Sequence, residues 1–263
     1  MAFEFHGQVD VMLQQQYLTT KNYIIPFVQK YCSIGAGTRV MDIGCGYGGV
    51  LSAFAEKGCE GLGVDLNPYS ISQAFKFQAK YVESGKLNFE NIDIYKFTKD
   101  PEPFDLIVFK DSIEHIPDQA RIISYVKKFL KPNGKVFFGF PPWLMPFGGH
   151  QQLAKHKLFS KLPYYHLLPK GIYVALLKAI GENQKVLDDL VEIKDLGIHT
   201  HQFEKYAKQG GYNILKRQLF FINPIYAYKF GINPLKQIGL LSQIPYLRDF
   251  LSTAVYYLIQ PKS

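Results

Sequence analysis

From residue 39 to residue 140 the chain alternates short apolar runs with helical patterns, a rhythm that few architectures accommodate. Residues 39–43, 61–65, 87–92, 104–109 and 136–140 read as strands. The run 104–109 is apolar apart from Asp105, as in a strand covered on both faces. Residues 50–57 read as the first crossover helix. Asn67-Pro68 opens the next: a side-chain cap is followed by proline where a missing N–H costs nothing, and the helix runs to about residue 84. Asp118 caps a third, with Ile122, Val126 and Phe129 as its apolar positions and Lys131-Pro132-Asn133-Gly134 as its end. Strands joined by single helices lie parallel, with right-handed crossovers.

Beyond Pro141 the alternation stops. Residues 142–198 read as a mostly helical insertion, a helix near 201–209 and a strand at 212–222 resume the sheet, and a second insertion over 223–250 leads to a last strand at 253–259. The expected fold is α/β: a doubly wound, mostly parallel, seven-stranded sheet whose last strand is antiparallel, with a late strand pair closing its edge. Residues 1–34 are expected to form a helical cap, with a helix from about residue 20 to 31 after a glutamine-rich start. Residues 35–263 are expected to form one domain that carries both insertions.

With 263 residues, 47% of them apolar, the chain can bury a full core. The start of the chain does not place a basic segment ahead of an apolar one, and the apolar run 172–177 is far shorter than the roughly 20 residues a bilayer span needs. A cytoplasmic protein is expected, with peripheral membrane contact left open. Cys32, Cys45 and Cys59 form no CxxC pair, which argues against a disulfide framework or a structural zinc. The net charge of +8 permits an anionic partner, but the lysines are scattered, so no nucleic-acid partner is expected.

In an open parallel sheet, ligands bind outside the carboxyl ends of the strands. The first such end is Asp42-Ile43-Gly44-Cys45-Gly46-Tyr47-Gly48-Gly49, whose glycines let the backbone approach a ligand. Gly44, Gly46 and Gly49 also satisfy a dinucleotide fingerprint, so the loop alone leaves a nicotinamide dehydrogenase open. The acids weigh against that reading. Asp42, Asp65 and Asp93 each follow a neighbouring strand. One carboxylate per strand end suits a cationic adenosyl ligand with ribose hydroxyls and an exocyclic amine better than a dianionic pyrophosphate.

Four motifs, Asp42-Ile43-Gly44-Cys45-Gly46-Tyr47-Gly48, Gly63-Val64-Asp65, Phe104-Asp105-Leu106-Ile107 and Leu130-Lys131-Pro132-Asn133-Gly134-Lys135, resemble those of class I S-adenosylmethionine-dependent methyltransferases. The pattern is most similar to the small-molecule branch that includes the ubiquinone and menaquinone methyltransferases. The resemblance covers residues 35–141 well and 199–260 loosely, and it specifies cofactor and reaction better than substrate. It implies that Gly44, Gly46 and Gly48 line the methionine moiety, that Asp65 holds the ribose, that Leu66 packs on the adenine and that Asp93 with Ile94 reads its amino group. Lys110 lies where family members contact the methionine end. With Asp42 and Cys45 of the glycine loop, these residues make up the expected cofactor site.

Methyl transfer is an in-line displacement, and a general base is needed only if the acceptor carries a proton, as a phenol does. Candidate acceptor residues follow the fourth and fifth strands. Asp111-Ser112-Ile113-Glu114-His115 resembles the acid-x-x-Glu-His element of the ubiquinone O-methyltransferases, which is associated there with a divalent metal. Asp111 replaces the first glutamate with a shorter ligand, so Asp111, Glu114 and His115 form a disfavoured metal set and no metal is expected. His115 is a candidate base or orienting residue, or else a structural loop histidine. His150, behind Gly148-Gly149, is the second candidate base, or else a helix cap.

His199 and His201 read as a polar helix start, and His6, His156 and His166 have no supporting neighbours. Phe140-Pro141-Pro142-Trp143 lacks the leading acid or amide of amine-methylating enzymes and reads as a rigid floor. Lysines and aromatic residues interleave over 155–180, as in a lid over a lipophilic acceptor, an interfacial helix or a plain helix pair. The sequence therefore points to methylation of a small aromatic or lipophilic metabolite, foremost at oxygen with a histidine base. An RNA methyltransferase and a non-catalytic S-adenosylmethionine-binding protein stand as alternatives.

Overall fold

β-Branched and aromatic side chains concentrate in the runs that become strands, and a computed structural model describing residues 6–97, 101–237 and 239–262 shows how they assemble. Strands β1 (Arg39–Ile43), β2 (Glu60–Asp65), β3 (Leu87–Asn91), β4 (Phe104–Lys110) and β5 (Leu130–Phe140) are mutually parallel. Three more, β6 (Tyr212–Ile222), β7 (Leu235–Lys236) and β8 (Ala254–Pro261), complete one sheet in the order β3-β2-β1-β4-β5-β8-β6-β7. The strand order reverses between β1 and β4, where Asp42 pairs with Gly63 on one side and Val108 on the other.

Helices cover both faces. One face carries α6 (Gln119–Tyr125) and α9 (Thr200–Gln209), and their Ile122, Ile123, Phe203 and Ala207 pack on Ile107, Phe138 and Tyr257. The other carries α1 (His6–Thr19), α2 (Ile25–Val28), α3 (Gly49–Glu56), α4 (Pro68–Phe77) and α5 (Ala79–Glu83), with Ile24, Val28, Phe54 and Ile71 against Val108, Phe137 and Tyr256. Side chains of successive β5 residues alternate between the two cores. Phe137 and Phe138 are both fully buried, each worth roughly 1.5–3 kcal/mol of transfer free energy.

Two expectations need correction. The sheet has eight strands, because the short β7 pairs with β6 through Phe220 and Ile222. The last strand, β8, is antiparallel as expected and forms with β6 the late pair on that side of the sheet. It inserts between β5 and β6, as expected for a strand buried on both sides over Val255–Ile259. The N-terminal helix begins at His6 rather than near residue 20 and runs into α2 through a wide turn at Thr20–Ile24. Pro26 has no N–H for the ordinary helical bond, and the looser turn just before it absorbs the defect. The capped helix starts hold: Asn67 Oδ1 accepts the Tyr69 and Ser70 N–H groups at 2.9 and 3.3 Å, and Asp118 Oδ1 accepts that of Arg121 at 3.1 Å.

The first insertion holds α7 (Lys170–Ala179) and α8 (Gln184–Leu196) after three short 3₁₀ turns, around its own core of Tyr165, Tyr173, Leu177, Leu187 and Leu190. Trp143, at its entrance, is fixed between neighbours. Its N–H donates to Ile198 O at 2.8 Å, its carbonyl meets His166 Nε2 at 2.8 Å, and a Cβ on Gly197 would sit 2.4 Å from its ring. The second insertion contains α10 (Tyr226–Lys229), β7 and α11 (Leu247–Phe250). No helix among the described residues is long and apolar enough to cross a membrane.

Candidate cofactor and acceptor site

A cavity of about 600 Å³ opens at the carboxyl ends of the strands, where the order reverses between β1 and β4. Its wall includes Gly44, Asp65, Leu66, Asp93, Ile94 and His115. The glycine loop is shaped by need. Gly44 has φ +76°, and a Cβ there would come within 2.7 Å of Ser112 Cβ, so β1 and the loop after β4 meet only over a hydrogen. Gly46 (φ +52°) directs its N–H at Asp65 Oδ2 over 2.9 Å, while Asp65 Oδ1 accepts the Asn67 N–H at 2.8 Å. Asp65 therefore ties the loop after β1 to the one after β2. Each of its oxygens keeps a further lone pair for a ligand hydroxyl.

Beneath the loop lies Asp42, fully buried, with its Oδ2 lacking any hydrogen-bond partner. Burial pushes its carboxyl up to about 8; the nearby Asp65 charge adds to the effect and Lys110 opposes it. An unmet buried acceptor beside a bare backbone bend is the complement of a cationic ligand group, so the residues present fit S-adenosylmethionine. Leu66 stands 71% exposed at the cavity mouth, an aliphatic platform with nothing of the protein upon it. Asp93 Oδ1 accepts the Tyr95 N–H at 3.0 Å, which starts a 3₁₀ turn, and Oδ2 lies 3.6 Å from Lys96 Nζ.

Not every expected cofactor residue faces the cavity. The Cys45 side chain turns into the core against Gly63, so this position offers only backbone to the loop. The Cβ space of Gly48 is filled by the Phe89 ring at 2.8 Å, a packing role. Lys110 is nearly buried and pairs with Asp111.

Asp111, at φ +53°, donates its N–H to Gly139 O at 2.7 Å and presents its carboxylate to Lys110. Glu114 is buried with neither oxygen hydrogen-bonded, and burial, followed by the Asp111 charge, raises its pKa. The rings of His115 and His150, from the loops after β4 and β5, meet edge to face at 5.1 Å between centroids. Partial desolvation holds both imidazoles below the usual range, His150 at about 4, where the neighbouring His115 adds to the effect. Donor atoms of Glu114, His115 and His150 lie within 4.8 Å of one another. This grouping differs from the Asp111, Glu114, His115 set that the sequence offered and disfavoured, because Asp111 turns to Lys110.

His166 and His199 take structural positions. His166 is fully buried, with Nδ1 2.6 Å from Gln151 Nε2 and Nε2 on the Trp143 carbonyl, and burial lowers it to about 4. His199 sits at the N-cap of α9. Sequence reasoning missed Tyr95 and Arg121, which line the cavity with the guanidinium 4.2 Å from the ring centroid. Arg121 stands three residues after the helix cap Asp118, a position that follows from the cap itself. Gln16 was also missed. Its Oε1 is buried without a partner on α1, where a Cβ on Gly49 would come within 2.8 Å of it.

Residues 17–166 match the model of a methyltransferase domain family. A ubiquinone biosynthesis O-methyltransferase of Coxiella burnetii (strain Dugway 5J108-111) is 29% identical over 184 residues, which make up 68% of this chain and 65% of that relative. Among solved structures, an S-adenosylmethionine-dependent methyltransferase from Clostridium acetobutylicum superposes with a TM-score of 0.56 at 16% identity, covering 94% of this chain and 92% of the other. The magnesium protoporphyrin IX methyltransferase of Synechocystis, with bound S-adenosylhomocysteine, gives a TM-score of 0.55 at 13% identity over 98% and 87% of the two chains. These two likenesses establish the shared fold.

Proposed function

The chain belongs to the class I S-adenosylmethionine-dependent methyltransferases, and on that premise we propose that it methylates an oxygen of a small aromatic or lipophilic acceptor, with a histidine taking the proton. S-adenosylmethionine supplies, when bound, a sulfonium methyl open to in-line attack. Asp42 and the backbone of Gly44 to Gly48 receive the charged methionine end, Asp65 the ribose hydroxyls, Leu66 the adenine face and Asp93 its amino group. Gln16 closes the loop from the side of α1. The residues of 142–198 act as the lid over the acceptor.

The reading rests on the pair of touching histidines beside the cavity, one on its wall and one half-buried behind it. An aromatic hydroxyl must lose its proton as its oxygen gains the methyl group. Imidazoles held below their usual range are neutral near pH 7 and free to accept it. His115 lies on the cavity wall and His150 is its contact, so either can take the proton and relay it toward solvent. An O-methyltransferase among the relatives supports the choice of oxygen. The test is a screen with tritiated S-adenosylmethionine over phenols, quinone precursors and lipids, followed by His115→Ala and His150→Ala on the best acceptor. Loss of turnover with cofactor affinity kept is expected for at least one variant. Full turnover in both rules out a histidine base.

A second reading follows from the grouping of Glu114 with both histidines. A carboxylate and two imidazoles suit a first-row divalent ion, which would orient the acceptor and lower its pKa in place of a base. Activity that a chelator abolishes and a divalent ion restores favours this reading, and activity indifferent to chelation favours the free base.

A further inference from the structure

We infer that the second insertion, residues 223–250, docks the protein on an anionic lipid surface. The segment inverts the usual surface arrangement. Two of its four charged groups, Arg248 and Asp249, point inward: Arg248 is buried, with Nη2 2.8 Å from Glu204 Oε2 and Nε donating to Thr200 Oγ1 at 2.8 Å. Fully buried Asp249 accepts the Thr200 N–H at 2.9 Å, and Arg217 Nη2 donates to Ser242 O at 2.8 Å. Its apolar groups point outward. Leu240 is 84% exposed, and Phe230, Leu235, Ile244, Tyr246 and Leu247 are each more than a third exposed. Folding has kept buried ion pairs here while leaving large aliphatic side chains in water, and such a patch marks an interaction surface.

Charge selects the partner. From Lys205 to the C-terminus the only acid is Asp249, which is buried, whereas Lys216, Lys229 and Lys236 are exposed. Lys30, Lys216 and Lys236, together with Asn22, line a recess of about 160 Å³ that has no acid in its wall. Among the described residues, none of these lysines forms an ion pair. The patch continues onto the first insertion, where the Tyr164 ring lies 6.0 Å from that of Phe250 and Leu158 is exposed between Lys157 and Lys161. Protruding aliphatic groups on a segment whose Lys229 and Lys236 are exposed fit the boundary between acyl chains and negative headgroups. Two copies face to face would instead bring lysines together with no acid to match them.

The test is sedimentation of the full chain with phosphatidylcholine vesicles, with and without phosphatidylglycerol. The protein is expected to pellet with the mixed vesicles and to be released by salt. Lys216→Gln with Lys236→Gln is expected to weaken partitioning about thirty-fold, from roughly 1 kcal/mol per lysine near a charged surface. Leu240→Ser with Leu241→Ser is expected to abolish it, with an unchanged circular dichroism spectrum as the check of folding. Failure to pellet with mixed vesicles overturns the inference, as does binding undiminished by the leucine substitutions. A dimer in light scattering that those substitutions dissolve, without vesicle binding, assigns the patch to a second copy and overturns it as well. None of these readouts depends on methyl transfer, so the result stands apart from the proposed activity.

Discussion

Replacing Asp42 with asparagine should stabilise the cofactor-free protein while weakening its hold on the cofactor. The carboxyl is raised from 3.8 to about 8, by burial first and by Asp65 second. Between those values the folded chain retains a proton that the unfolded chain has released. The sign follows: wild-type stability declines as pH rises through this window, at about 1.4 kcal/mol per pH unit for one proton. Asparagine has no proton to lose, so Asp42→Asn gains on wild type by roughly 2–3 kcal/mol from about pH 5 to pH 7, or about 5–10 °C in Tm for a domain of this size. Glu114 contributes its own slope in the same direction, and the difference between variant and wild type removes it. The assay is differential scanning fluorimetry across that range, with and without S-adenosylmethionine. With saturating cofactor the ranking should reverse, because the ligand's cationic end draws wild-type Asp42 into its ionised form and stabilises only that protein. Parallel Tm–pH lines for the two cofactor-free proteins would refute the reasoning, since Asp42 would then titrate alike folded and unfolded.

Asp65→Ala removes the acceptor of the Gly46 and Asn67 N–H groups along with the proposed ribose ligand, and calorimetry should show cofactor affinity lost by at least about a hundredfold with the fold intact. Unchanged affinity would reject the ribose assignment. Gly44→Ala forces a side chain into left-handed backbone and against Ser112, so urea unfolding should show a loss of about 2–5 kcal/mol; a loss below about 1 kcal/mol would mean that the two loops part easily. Arg248→Met breaks the buried tie to Glu204 and Thr200 and leaves Glu204 without a partner on that side, at a cost of about 3–5 kcal/mol by the same method. A neutral result would show that the second insertion is anchored elsewhere.

The parts of this molecule legible in sequence are those whose physics is local. Asn67-Pro68 and Asp118 announced two helix starts because caps act within three residues. The glycine loop and the acids at three strand ends were legible because strand period and loop length fix where a strand tip falls. What escaped depends on contacts distant in sequence. Gln16 reaches the glycine loop only after the N-terminal helix folds across the sheet, and no spacing rule links residue 16 to residue 49. His150 joins Glu114 and His115 because two loops converge, while Asp111 is diverted by Lys110 at the neighbouring position. Cys45 shows the converse: it lies within the motif, but the turn after β1 points its sulfur toward Gly63 and the core. Arg248 and Asp249 turn inward because their partners Thr200 and Glu204 lie on α9, more than forty residues earlier in the chain.

The account rests on Asp42, Asp65 and Asp93, at the tips of β1, β2 and β3, together holding a cationic adenosyl ligand. The most direct measurement is a crystal structure of the protein with S-adenosylhomocysteine. It should show both ribose hydroxyls on the Asp65 carboxylate, the adenine amine at Asp93 and the ammonium end over Asp42. A ligand bound outside the 600 Å³ cavity, or ribose hydroxyls held by other residues while Asp65 keeps only its backbone partners, would contradict it.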